Sequence, residues 1–314
     1  MKRSFIREIL ESIDETTISF AGGLPSEKLF PVEDIKTATM KIFDNPKVFQ
    51  YGVSNGIAEL REKIAARYTK EGFSTRKENI LITTGSQQGM YILAKYFESK
   101  DITIEEPSYL GAMNIFRLNH LNMKGVKLEN DGINIEKFKK SFSKTKLAYL
   151  IPDFQNPSAR TYSDEKREQI AKIVSDEDGI LIEDSPYSEL FFDKKNTSIS
   201  VKIPKNSFHL GSFSKTLVPS LRIGWIRADE KLLQSLMIIK ESIDLHSCGI
   251  SQYILNEYLK DEEKYEKHLQ DIRDDYEKKA NFFCEQLDKY LPEFKYEKPK
   301  GGMFLYGSFE GIDS

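Results

Sequence analysis

From residue 79 onward the chain alternates between strand-length apolar runs and helical stretches. Strands read at 80–84, 102–105, 126–129, 147–151, 180–183 and 208–212, with helices at 85–98, 109–119, 135–142 and 164–175. Strands alternating with helices argue a mainly parallel sheet wound through right-handed crossovers, and so an α/β fold. A seventh strand, 222–228, follows with either polarity open. Ligands of such open sheets bind beyond the carboxyl ends of the strands, so chemistry is sought there first.

The last of the run delivers the stretch GSFSKTLVPSLRIGW, Gly211 to Trp225. Lys215 can form a Schiff base with a carbonyl where desolvation or a neighbouring positive charge lowers its pKa. Arg222 supplies such a charge, and its planar fork suits a phosphate. Ser212 and Ser214 add hydroxyl donors. Taken alone, the SxSK fragment reads more simply as a surface lysine in a serine-rich turn.

The longer string S-x-S-K-x-x-x-P-x-x-R-x-G-W resembles the cofactor-lysine segment of fold type I pyridoxal-phosphate enzymes, the aspartate aminotransferase superfamily of class I/II. Within it, the branch of kynurenine and α-aminoadipate aminotransferases, with the aminotransferase-like domains of some bacterial regulators, is the most similar. The resemblance implies the fold type I architecture: a mainly parallel seven-stranded sheet flanked by helices, with a second, smaller α+β domain. It also implies that the other site residues occur upstream, in order.

They do, each just after a strand. Gly85, Ser86 and Gln87 open a helix, whose free N–H groups and dipole attract a phosphate; a simple capping turn is the equal alternative. Tyr109 follows a proline turn and offers a face for a flat ring, although a core tyrosine is the commoner use of such a residue. Asn156 has an amide able to donate to a ring oxygen. The family continues this segment with threonine or serine and then glycine, whereas this chain reads Ser158-Ala-Arg160. By the resemblance, Asp184 pairs with the protonated pyridine nitrogen, making the ring an electron sink, and Tyr187 bonds the ring oxygen. An acid after an apolar strand is otherwise often a helix cap. Two further positions lie towards the amino terminus. Gly23, in the run SFAGGLP, matches a loop whose backbone touches the substrate, and Tyr51, in QYG, matches a tyrosine that reaches the phosphate of the other subunit. From the residues alone Tyr51 reads equally as a half-buried turn tyrosine.

Composition adds bounds. With 314 residues, 39% of them hydrophobic and 30% charged, the chain can bury a large core. The 46 basic and 49 acidic residues leave a net charge of −3, which creates no field for nucleic acid or an anionic membrane. Small molecules are the expected partners, an amino acid and a 2-oxo acid, in a cytoplasmic protein. Cys248 and Cys284 form no metal or redox motif, and the four histidines have no ligand spacing. An amphipathic segment, 5–13, precedes the glycine loop.

The expected organisation is an amino-terminal arm (1–31), a large cofactor-binding domain (32–245) and part of a small domain (246–314) in which GGMF at 301–304 forms the central strand. In the family a further section carries the arginine that clamps the substrate α-carboxylate. No residue here matches it, and the apolar face of the GGMF segment is expected to lie open. The leading expectation is a pyridoxal-phosphate-dependent aminotransferase, transferring an amino group between an L-amino acid and a 2-oxo acid through Lys215, as a homodimer with shared sites. Two alternatives stand beside it: another reaction of the same cofactor, such as β-elimination, or a cofactor-binding relic or sensor without turnover.

Overall fold

The computed structural model describes residues 14–311 except 15, 19 and 21, so the amphipathic segment 5–13 lies outside the described residues. Two helices come first, α1 (Val32–Phe43) and α2 (Ala58–Lys70). The alternating region then unfolds in order as β1 (Ile80–Thr83), α3 (Gly85–Tyr96), β2 (Asp101–Glu106), α4 (Leu110–Leu118), β3 (Asn122–Glu129), β4 (Gly132–Ile133), α5 (Ile135–Thr145), β5 (Leu147–Leu150), α6 (Asp164–Asp176), β6 (Ile180–Asp184), β7 (Ser207–Ser212) and β8 (Gly224–Arg227). Three more helices follow, α7 (Glu230–Asp244), α8 (Gly249–Tyr258) and α9 (Glu262–Tyr290), and then β9 (Phe294–Tyr296) and β10 (Gly307–Phe309).

The central sheet has eight strands in the order β1-β8-β7-β6-β5-β2-β3-β4. Strands β7, β6, β5, β2 and β3 run parallel, and β8 is antiparallel to both β7 and β1. The seven expected strands are all present. The eighth, β4, is a two-residue antiparallel return on β3, too short to leave a signal in the sequence. Strands β5, β6 and β7 are buried almost throughout, as a sheet covered on both faces requires. One apolar core packs α3, α4 and α7 on one face of the sheet, and a second joins α1, α2, α8 and the start of α9 around Phe213 and Leu221.

Strand order turns between β2 and β5, the switch point at which an open sheet leaves a crevice. Tyr109 follows β2, and Asn156 follows β5. The crevice is therefore walled by residues from both sides of the turn.

One expectation fails. The GGMF segment is not a strand: only Gly301 forms a bridge, to Phe191, and the strands nearby are β9 and β10. The reason is local. Gly302 has φ +78° and donates its N–H to the carbonyl of Leu190, and a Cβ on either glycine would strike Phe154. The pair tucks beneath Phe154 instead of extending. Beside it runs a groove lined by Phe283, Leu291, Phe294, Phe304 and Phe309.

Candidate active site

The turn between β7 and β8 holds Lys215 by local bonds. Ser212 Oγ accepts from the Ser214 N–H at 3.0 Å and donates to Ser214 Oγ at 2.9 Å, closing a small ring just ahead of the lysine. Phe213 and Leu217 anchor the turn in the core. Arg222 ends a short 3-10 turn in the left-handed region (φ 54°), and its Nη1 donates to the carbonyl of Pro219 at 3.0 Å. A Cβ on Gly85 would lie 2.5 Å from Arg222 Nη2, and one on Gly224 would lie 2.5 Å from the Ser86 N–H nitrogen. The amino terminus of α3 and the arginine therefore share one small space, and Gly85, with φ +75°, is the residue type that space permits.

Lys215 Nζ donates to the carbonyl of Gly23 at 2.7 Å. Burial, aided by the charge of Arg222, lowers its pKa to about 8, so a useful fraction of free amine exists near neutrality. This bond joins the two ends of the expected site, 192 residues apart in the chain.

The third wall is acidic and aromatic. Asp184 ends β6, 2% exposed, with Oδ2 accepting from the Tyr149 hydroxyl at 2.7 Å and Oδ1 buried without a hydrogen-bond partner. Burial pushes its pKa up to about 6 despite the Tyr149 bond. Asn156 Nδ2 donates to Tyr187 Oη at 3.3 Å. Tyr187 packs edge-on to Phe304 with ring centroids 5.4 Å apart, and Phe304 in turn would meet a Cβ on Gly23 at 2.9 Å. Tyr109, the residue before α4, lies within electrostatic reach of Tyr187.

The structure thus brings Gly23, Gly85, Ser86, Asn156, Asp184, Tyr187, Ser212, Ser214, Lys215 and Arg222 to the strand ends, with Tyr109 beside them. Gln87 sits exposed in the first turn of α3. Its neighbour Gln88 is tied down, accepting from the Thr84 N–H at 2.7 Å and donating to Asp244 at 2.6 Å. Tyr51 stands apart from this group. It is 78% exposed and packs edge-on to His246, whose Nε2 accepts from the Gly52 N–H.

Several supporting residues were not visible in the sequence. Tyr149 reads as one more apolar residue of a buried strand. Glu105 accepts from the Ile151 N–H, Gln155 and Tyr162, while Gln155 accepts from Ser158; together they fix the turn bearing Asn156. Arg167, 1% exposed, pins the same turn through the carbonyl of Pro152 and the carboxylate of Asp153. Such partners come from distant elements and carry no motif.

This donor set fits pyridoxal phosphate: an amine of lowered pKa, a cationic fork at a glycine-lined helix terminus, and a buried carboxylate with one oxygen open. The family model for aminotransferase class I and II matches residues 18–312. An aromatic-amino-acid aminotransferase of Thermococcus litoralis is 33% identical over 100% of this chain and 79% of its own length. A 2-aminoadipate transaminase of Thermus thermophilus is likewise 33% identical, over 98% of this chain and 79% of its length. The solved kynurenine aminotransferase of Pyrococcus horikoshii, in complex with PMP, superposes with a TM-score of 0.92 at 32% identity, covering all of this chain and 81% of that one. The chain belongs to the class I and II aminotransferases, with the fold type I architecture, a pyridoxal phosphate cofactor, and amino-group transfer between an amino acid and a 2-oxo acid.

Proposed function

We propose that Lys215 is the amine that holds the cofactor aldehyde and afterwards carries the proton to and from the substrate α-carbon. The observation that carries this reading is the position of its Nζ: half-buried in the turn after β7, of lowered pKa, and hydrogen-bonded to the Gly23 carbonyl. Pyridoxal phosphate, when bound, supplies an electron sink for the charge left on the substrate α-carbon.

The remaining roles belong to this chain's own residues. Arg222, Ser212, Ser214 and the first turn of α3 at Gly85, Ser86 and Gln87 bind the phosphate, the arginine by its fork and the helix by its free N–H groups. Asp184 holds the ring nitrogen in its protonated state, a task suited to a buried carboxylate with one oxygen open. Tyr187 and Asn156, already hydrogen-bonded to each other, orient the ring oxygen. Tyr109 covers a ring face. The backbone at Gly23, with Asn156, faces the substrate. Because the free amine of Lys215 donates to that same carbonyl, attachment of Lys215 to the cofactor aldehyde would leave the Gly23 carbonyl available to a substrate.

Residues 32–245 form the cofactor-holding unit, with 1–31 as an arm and 246–314 in the smaller unit. The active species is a cytoplasmic homodimer, in which the exposed Tyr51 reaches the phosphate site of the partner subunit. Among the described residues no helix is long and apolar enough to cross a membrane.

The test is the visible spectrum of the purified protein with pyridoxal phosphate, before and after addition of amino acids, with aromatic amino acids and 2-aminoadipate heading the panel. A yellow band that a substrate bleaches, with release of the matching 2-oxo acid, is expected. Lys215→Ala is expected to lower turnover by at least about a thousandfold, as loss of a covalent and acid–base residue does. Turnover kept by that variant would sink the assignment. Formation of ammonia and pyruvate in place of the aminated cofactor would turn the reading to β-elimination.

A further inference from the structure

Tyr149 lies in the middle of β5, fully buried, with its ring edge-on to Phe116 at 5.2 Å. None of the roles above uses it. Its hydroxyl donates to Asp184 Oδ2 at 2.7 Å, and Met90 Sδ stands 3.7 Å from the Tyr149 hydroxyl oxygen. A phenol has one proton to give, and the carboxylate is the far stronger acceptor, so the proton goes to Asp184. The two oxygens of Asp184 are thereby divided: one is held, the other is buried and open.

Among the described residues no cation pairs with this carboxylate. Against the burial that favours its neutral form, the hydrogen bond from Tyr149 is the one opposing influence. The other titratable groups within electrostatic reach are occupied elsewhere. Glu105 is bonded by Ile151, Gln155 and Tyr162, and Tyr187 by Asn156. A single donor therefore controls both the orientation and the charge of the acid at the end of β6.

We propose that Tyr149 is a positioning residue for the cofactor: it fixes Asp184 with Oδ1 left to meet the ring nitrogen, so that recognition of that nitrogen depends on the Tyr149 hydroxyl. This rests on the reading of Asp184 as the ring-nitrogen partner.

The experiment compares binding of pyridoxal 5'-phosphate with binding of its 1-deaza analogue, which has carbon in place of the ring nitrogen. Each is titrated into apo-protein and followed by protein fluorescence. Tyr149→Phe is expected to weaken pyridoxal phosphate about tenfold, as loss of a hydrogen bond to a charged group does, and to leave the analogue nearly unchanged. Asp184→Asn is expected to discriminate in the same sense, and the double variant to be no weaker than Asp184→Asn alone. If Asp184→Asn discriminates and Tyr149→Phe weakens both ligands alike, Tyr149 is only a packing residue and the proposal falls while the reading of Asp184 stands. If Asp184→Asn fails to discriminate, both fall. Since Tyr149→Phe alters a core residue, a second variant carries 3-fluorotyrosine at position 149, nearly the same in shape and a stronger donor. It is expected to tighten pyridoxal phosphate selectively; weaker or unchanged binding would overturn the proposal.

Discussion

Lys215 carries its charge at a cost where it sits, and that cost has a sign that can be measured. Its folded pKa of about 8 lies below the ordinary 10.5, so between these values the unfolded chain binds more protons than the folded one. Stability from this group is lowest below pH 8 and recovers as pH rises through the window. Urea unfolding of the apo-protein between pH 7 and 10.5 should show Lys215→Met gaining stability over the wild type at the low end and losing that advantage at the high end. An advantage independent of pH would mean that the amine is not buried as described. At the same scale, Ala159 adopts φ 57° in the turn where the family resemblance places glycine. An L-residue there is strained by about 1–2 kcal/mol. Ala159→Gly is expected to stabilise the fold by up to about 1 kcal/mol, after the greater freedom of glycine in the unfolded chain is set against the gain; a lower urea midpoint would contradict it.

At the scale of elements, the phosphate-binding end of α3 and the Lys215 turn are a single packing unit, because Gly85 and Gly224 leave no room between them. Gly85→Ala would put a methyl against the Arg222 guanidinium on a backbone of φ +75°. We expect a loss of about 1–2 kcal/mol in stability and at least about a tenfold loss in affinity for pyridoxal phosphate through displacement of the arginine. Urea unfolding checks the first and a calorimetric titration the second; unchanged affinity would remove Arg222 from the phosphate site. The elements themselves were largely legible. Helices such as 85–98 and 164–175 and the seven main strands fall within a few residues of the structure, because amphipathic periodicity and short apolar runs are local properties. Strand β4 and the GGMF segment were not. Two residues hold no periodic signal, and the course of Gly301 and Gly302 is set by Phe154 and Leu190, far away in the chain.

For the whole molecule, the question is whether one chain makes a complete site. Tyr51 is exposed and packs on His246, away from Lys215's own contacts, whereas the other site residues, apart from the exposed Gln87, lie at or beside the strand ends. If the site is shared, mixing inactive Lys215→Ala with a Tyr51→Ala variant, under conditions that exchange subunits, should restore roughly a quarter of wild-type activity, since half of the dimers are then hybrids with one intact site each. No recovery, with exchange confirmed by mass, would remove Tyr51 from the partner's site.

The order of chemistry along the chain was determined by the sequence alone. A lysine between serines and an arginine, an acid after an apolar strand and an asparagine before a proline each fall at a strand end, where local pattern and the topology of a parallel sheet already dictate the place. What only the tertiary structure decided is who supports these groups. Tyr149 under Asp184, Glu105 and Arg167 behind the Asn156 turn, and Gly23 across from Lys215 are joined over separations that no periodicity spans. Burial, with the charge of Arg222 at Lys215 and the Tyr149 hydrogen bond at Asp184, sets the pKa of each and arises from atoms brought together by packing. They cannot be read from neighbours in the chain.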